Sequence, residues 1–164
     1  MSEFDDLMGT LDPPMFVVTV AAGGERGGCL VGFAGQTSIE PPRFTAWISR
    51  TNRSADIAAH ATHFVVHVLR HDDHRTAEVF GELTGDEVDK FSLVRWTPTV
   101  DGIPALDGCD HFVGRVVATL DTDGDHRGYV LAPEGVVRAR PPADREGDQL
   151  GLQDAGDLDA GHAP

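Results

Sequence analysis

Apolar residues in this chain come in short runs separated by glycine, proline and polar clusters, and few stretches hold a helical period for long. Residues 15–21 (MFVVTVA) are rich in β-branched side chains and read as a buried strand. Residues 23–28 (GGERGG) follow as a hairpin turn, where glycine supplies the positive φ that such turns need. A second strand is expected over 29–37, with Gly32 and Gly35 inside it. Glycine within a strand marks a bulge or a close approach by another backbone or a ligand. A rigid Pro41-Pro42 corner leads to a third strand over 44–49.

Residues 50–54 (RTNRS) are polar and loop-like, and Asn52 or Ser54 caps a helix expected over 55–61. Residues 64–69 (FVVHVL) read as a strand and 72–81 as a helix. Thr84 to Glu87 has capping-box spacing, which opens a short helix to about residue 93. Strands are expected over 94–97, 105–107, 111–121, 126–131 and 135–138, with a turn at 122–125. Short strands with two or three interposed helices predict a mainly β fold, a closed or partly closed barrel, and not a parallel doubly wound sheet.

Composition divides the chain. From residue 141 it carries Asp144, Glu146, Asp148, Asp154, Asp157 and Asp159 against Arg145, with no aromatic residue. Such a segment buries too little apolar surface to offset its ordering entropy. The expected organisation is an N-terminal arm over 1–12, one domain over 13–140 and an acidic disordered tail over 141–164. With 164 residues, 40% of them hydrophobic, one core suffices.

The formal net charge of −14 argues against nucleic acid or an anionic membrane as the main partner, since both would be repelled. No run of about 18 apolar residues is present to cross a membrane, and the acidic N-terminus is unlike a secretory signal. Two cysteines, Cys29 and Cys109, make no disulfide framework and read as small buried hydrophobes. A soluble cytoplasmic protein is expected.

Several chemistries are missing. There is no Walker loop, Gly-x-Ser-x-Gly elbow or His-Glu-x-x-His motif. The glycines of 23–28 lack the dinucleotide-binding order and join strand to strand, which excludes a Rossmann reading. His60, His63, His67, His71 and His74 recur every three or four residues, but 64–69 has strand character, so no shared metal-binding face is expected and no metal site is assigned.

Several segments, in order, resemble the flavin reductase-like family, the FMN-binding split barrels. They are the strand at 15–20, residues 27–42 (GGCLVGFAGQTSIEPP), the loop 50–54, the strand 64–69, Glu78 to Gly81 with Asp89 to Phe91, residues 102–106, and Gly124 to His126. The resemblance spans about residues 13–137. It implies a homodimeric split β-barrel that holds FMN, with FAD permitted, and takes hydride from NADH or NADPH. Reduced flavin would pass to a partner flavin-dependent monooxygenase.

By the same resemblance, Leu30, Val31, Gly32, Phe33, Ala34 and Gln36 line the isoalloxazine ring. Ser38 and the loop Arg50, Thr51, Asn52, Arg53 and Ser54 hold the ribityl phosphate, a task suited to guanidinium groups and hydroxyls. Phe91 shields a ring face or belongs to the core. His126 is the candidate catalytic residue, contacting the nicotinamide or the flavin edge without having to move a proton. Leu30, Gly32 and Phe33 depart from the Thr and Ser side chains of many members, which shifts the work to backbone N–H groups and the arginines. Two other readings stay open: an FMN-binding electron carrier or sensor without turnover, and a deazaflavin- or haem-binding barrel using Arg43, Arg50 and Arg53 or His126.

Overall fold

Strict alternation sorts the first strand, β1 (Phe16–Ala22), between two hydrophobic layers. Phe16, Val18 and Val20 join one core cluster, while Val17 and Ala21 enter two others on the opposite side. Both faces are covered, which is why 15–21 reads as a continuous apolar run instead of an alternating one.

The computed structural model describes residues 1–82, 89–141 and 148–155. After helix α1 (Glu3–Met8) and β1 come β2 (Glu25–Val31), β3 (Ala34–Ser38), β4 (Arg43–Ser49), α2 (Ser54–Ala58), β5 (His63–Val68) and α3 (His74–Glu82). Strands β6 (Trp96–Pro98), β7 (Pro104–Leu106), β8 (Asp110–Leu120) and β9 (His126–Val137) follow, and helix α4 (Leu152–Ala155) is the last described element. Seven strands form one antiparallel sheet in the order β2-β1-β5-β8-β9-β4-β3, and β6 pairs with β7. The outermost strands, β2 and β3, are consecutive in the chain and joined only by Gly32 and Phe33. The sheet therefore curls into a split barrel.

Three expectations are refined. The strand foreseen over 29–37 is two strands, bent at Gly32 and Phe33. The two late strands are one, β9, which pairs with β8 through two register shifts, one skipping Glu134 of β9 and the other Val117 of β8. The helix foreseen from Thr84 falls largely outside the described residues, and its far end is a single 3-10 turn at Lys90–Ser92.

The acidic tail needs a correction. Residues 148–155 are docked against the sheet, not disordered. Leu150 is 1% exposed and Ala155 3%. The Met15 N–H donates to the Leu150 carbonyl (2.8 Å), and the Leu150 N–H donates to the Leu69 carbonyl (2.8 Å). The Gln153 N–H donates to Asp12 (2.8 Å). Average composition hid one apolar residue with two main-chain partners. Residues 142–147 and 156–164 lie outside the described part.

His67 ties the layers together. Its Nδ1–H donates to the Val17 carbonyl (2.9 Å), and its Nε2 accepts the Leu106 N–H (2.9 Å), so the ring is the neutral tautomer protonated at Nδ1. Burial pushes its pKa down to about 3, against the upward pull of the Val17 carbonyl. The unfolded chain takes up a proton near pH 6.5 that the folded chain refuses until about pH 3. This contribution is fully present above pH 6.5 and falls by about 1.4 kcal/mol per pH unit below it. Urea unfolding of the protein and of His67→Asn at pH 7, 6 and 5 should show the wild-type advantage shrinking with each step. A constant gap would mean that His67 is not buried neutral.

Both cysteines are buried free thiols. Burial pushes Cys29 up to about 11 and Cys109 up to about 12, so neither is a thiolate at neutral pH.

Candidate functional site

Directly opposed residues in an antiparallel pair share a face. Across β4 and β9, Ile48 opposes Arg127, Ala46 opposes Tyr129 and Phe44 opposes Leu131, and these pairs face the barrel interior. The alternate pairs, Ser49 with His126, Trp47 with Gly128 and Thr45 with Val130, face outward. On β3, Gly35 opposes Thr45 and joins this outer face.

The outer face has a defined surface. A Cβ on Gly128 would come within 3.0 Å of the Trp47 ring, so the indole lies across the glycine. The Trp47 main-chain N–H donates to the Phe33 carbonyl (2.9 Å). The Phe33 ring is 62% exposed and sits with its centroid 5.0 Å from that of His126, tilted by 58°. A Cβ on Gly35 would meet nothing within 4 Å. Hydroxyls border the face: Thr37 with Thr45 (2.8 Å) and Ser49 with Thr51 (3.1 Å). Three aromatic rings, a bare stretch of backbone and a hydroxyl margin suit a flat heterocycle with a polar tail.

His126 sits at the exit of the 121–125 turn, with its Nδ1 2.6 Å from Asp125 Oδ1. Arg50 reaches this turn from the end of β4. Its guanidinium donates to Asp121 (3.1 Å) and to the carbonyls of Gly124 (3.3 Å) and Thr122 (3.4 Å). Arg127 donates to the other oxygen of Asp121 (3.0 Å). The hydrogen bond from Arg50, joined by that from Arg127, holds the Asp121 carboxyl below its ordinary range, against an opposing desolvation.

The residues expected from the sequence separate. Phe33 and His126 meet, and Gly35, whose openness was foreseen, lies on the same face. The Leu30 side chain packs in the core with Met15 and Val17, and that of Val31 enters the barrel interior. Strands covered on both faces leave only the main chain of these two residues for a ligand. Ala34 also packs against the interior cluster. Gly32 is half-buried against Met15.

Phe91 is core. It packs edge-on to Phe80 (centroids 5.6 Å) and Trp96 (6.0 Å) and is 6% exposed, so it shields no ring on the outer face. Asn52 accepts the Ser54 N–H (2.9 Å), and both residues are buried at the start of α2. Ser54 packs where a Cβ on Gly27 would touch it. The N-cap position falls on Arg53 instead of the expected Asn52 or Ser54; Asn52 takes the first helical N–H, and Ser54 seats the helix. Thr51 and Arg53 are exposed, and Gln36 donates to the Ser38 carbonyl (3.2 Å). Trp47 was missed, although alternation from Phe44 through Trp47 was enough to put it on the outer face. Asp121 and Asp125 carried no local signal, because what matters is their contact with distant or adjacent side chains.

The family model described as "Flavin reductase like domain" matches residues 8–153. The chain belongs to this family. It is a flavin reductase by family and an oxidoreductase by class. It is 30% identical over 132 residues to the reductase subunit HsaB of a flavin-dependent monooxygenase from Mycobacterium tuberculosis, covering 75% of this chain and 69% of that protein. Among solved structures, nitrilotriacetate monooxygenase component B of Mycobacterium thermoresistibile is 25% identical with a TM-score of 0.74, covering 85% of this chain and 77% of that one. An NADH:FAD oxidoreductase of Streptomyces globisporus has a TM-score of 0.74 at 21% identity, covering 83% and 81%, and that likeness concerns the fold. The split barrel expected of a flavin reductase is thus the observed architecture. Its outer face fits a flavin: the open space over Gly35 is one that a side chain would fill. Among the described residues, no helix is long and apolar enough to cross a membrane.

Proposed function

We propose that this flavin reductase binds FMN, or FAD, on the outer face of β3, β4 and β9, and uses NADH or NADPH to reduce it. The observation that carries this reading is the cluster of Phe33, Trp47 and His126 beside the open backbone at Gly35. A bound flavin supplies the hydride acceptor, N5, and the redox chemistry is the cofactor's. The chain supplies binding, orientation and exclusion of water. Phe33 and Trp47 offer ring faces for stacking, and Gly35 lets the heterocycle approach the main chain. Thr51, Arg53 and Ser38 meet the phosphate. His126 positions the nicotinamide at the flavin edge. Holding two rings at attack distance supplies much of the rate, and no proton-transfer pair is needed.

The relatives named as reductase components support a flavin-dependent monooxygenase as the recipient of reduced flavin. Exposed Phe33, Ile39, Val117, Leu120 and Val136 support a second copy of the chain as a partner in a homodimer. Two free buried thiols suit the reducing cytoplasm.

The test is an anaerobic titration followed by visible absorption. FMN bands should shift on addition of protein and bleach on addition of NADH or NADPH. Bands that shift but persist would replace turnover with a flavin carrier or sensor. Bands that never shift would refute the flavin site. His126→Ala should lower kcat/KM for the nucleotide by about tenfold, with flavin affinity changed less. Equal losses in both, or none in either, would make His126 structural.

A further inference from the structure

We infer that Arg50 is a positioning residue that clamps the 121–125 turn, and through it His126, at the edge of the outer face, instead of gripping the flavin phosphate. The inference rests on the reading of His126 given above. Strand β4 ends at Ser49, directly opposite His126. Arg50 continues past the end of the strand, and its main-chain N–H donates to the Asp125 carbonyl (2.9 Å). Its side chain then folds over the same turn. Nη2 donates to Asp121 (3.1 Å) and to the Thr122 carbonyl (3.4 Å), and Nε donates to the Gly124 carbonyl (3.3 Å).

One residue thus binds four of the five turn residues, more than seventy positions away in sequence. The planar fork of arginine fits a carboxylate and two carbonyls at once, which an ammonium group does not. Arg127 takes the second oxygen of Asp121 (3.0 Å) and fixes that carboxylate from the other side. Inside the turn, the Gly124 N–H donates to Thr122 Oγ1 (3.2 Å). The next residues are Asp125, 2.6 Å from the His126 ring, and His126 itself, against Phe33.

Burial separates this role from stabilisation. The Arg50 side chain is 41% exposed and that of Asp121 55%, so the ion pair contributes little to global stability. What the contacts fix is local: the direction in which the turn presents His126. A reacting geometry displaced by about 1 Å loses rate steeply. The phosphate role expected from the sequence would fall to Nη1 alone, since Nε and Nη2 are engaged by three acceptors in the turn.

The test compares wild type, Arg50→Ala, Arg50→Lys, His126→Ala and the Arg50→Ala/His126→Ala double variant. Hydrogen exchange of the peptide spanning 121–126, measured without flavin, should accelerate by about tenfold or more in Arg50→Ala, and comparably in Arg50→Lys. FMN affinity should stay within about twofold of wild type in both. Nucleotide kcat/KM should fall by about tenfold in Arg50→Ala, and the double variant should fall no further than His126→Ala alone. Unchanged exchange of the turn, or an FMN affinity weakened by about tenfold, would overturn the clamp. Fully additive losses in the double variant would also overturn it. If His126→Ala alone leaves turnover intact, the reading of His126 fails, while the exchange data still judge the clamp on their own.

Discussion

Gly35→Leu should weaken FMN binding by about 100-fold or more, a loss of about 2.8 kcal/mol. The glycine lies on β3 opposite Thr45, facing outward, and a Cβ there meets no atom within 4 Å. Its backbone is not in the left-handed region, so a side chain adds no strain. A leucine would stand in the space where the heterocycle is proposed to lie against the main chain. The fold should not suffer, because glycine inside a strand costs about 0.5–1 kcal/mol relative to a residue with a side chain. FMN fluorescence quenching gives the affinity, and urea unfolding gives the stability. An unchanged affinity in a folded variant would show that the ring does not lie over β3.

Leu150→Ala should cost about 3 kcal/mol, within the range for truncating a buried leucine. Leu150 is 1% exposed and packs in the cluster with Met15, Val17 and Leu69. Ending the chain before Asp148 should cost more, since it also removes the hydrogen bonds to Met15 and Leu69. The midpoint and slope of a urea transition measure both effects. A truncated protein with an unmoved midpoint would mean that residues 148–155 do not hold the fold together.

These two predictions mark where the sequence was readable. The barrel was legible because its strands carry dense β-branched and aromatic runs, such as 15–21 and 64–69, separated by Gly-Gly and Pro-Pro punctuation. The openness at Gly35 was legible for the same reason, since glycine inside a strand is a local signal. Leu150 was not, because one buried leucine in an acidic segment does not alter its average composition. The resemblance gives Leu30 and Val31 to the ligand and leaves Phe91 between ligand and core, and the structure buries all three side chains. Order along a strand does not say which face a residue takes when both faces are buried. The resemblance gives Arg50 to the phosphate, whereas its neighbours in the structure, 121–125, are set by the pairing of β4 with β9. Trp47 was recoverable, since counting alternate positions from Phe44 puts it outside, beside Phe33.

The proposed place of the flavin, on the outer face, can be tested most directly through the two tryptophans. Trp47 lies on that face, whereas Trp96 packs against Phe91 and beneath Arg26 elsewhere on the barrel. In a nitrogen-15 spectrum, with peaks assigned by Trp47→Phe and Trp96→Phe, FMN should shift the Trp47 indole N–H strongly and leave that of Trp96 in place. A shift of Trp96 with Trp47 unmoved would contradict the account and put the flavin beside the cluster that packs on β1 and β2, elsewhere on the barrel.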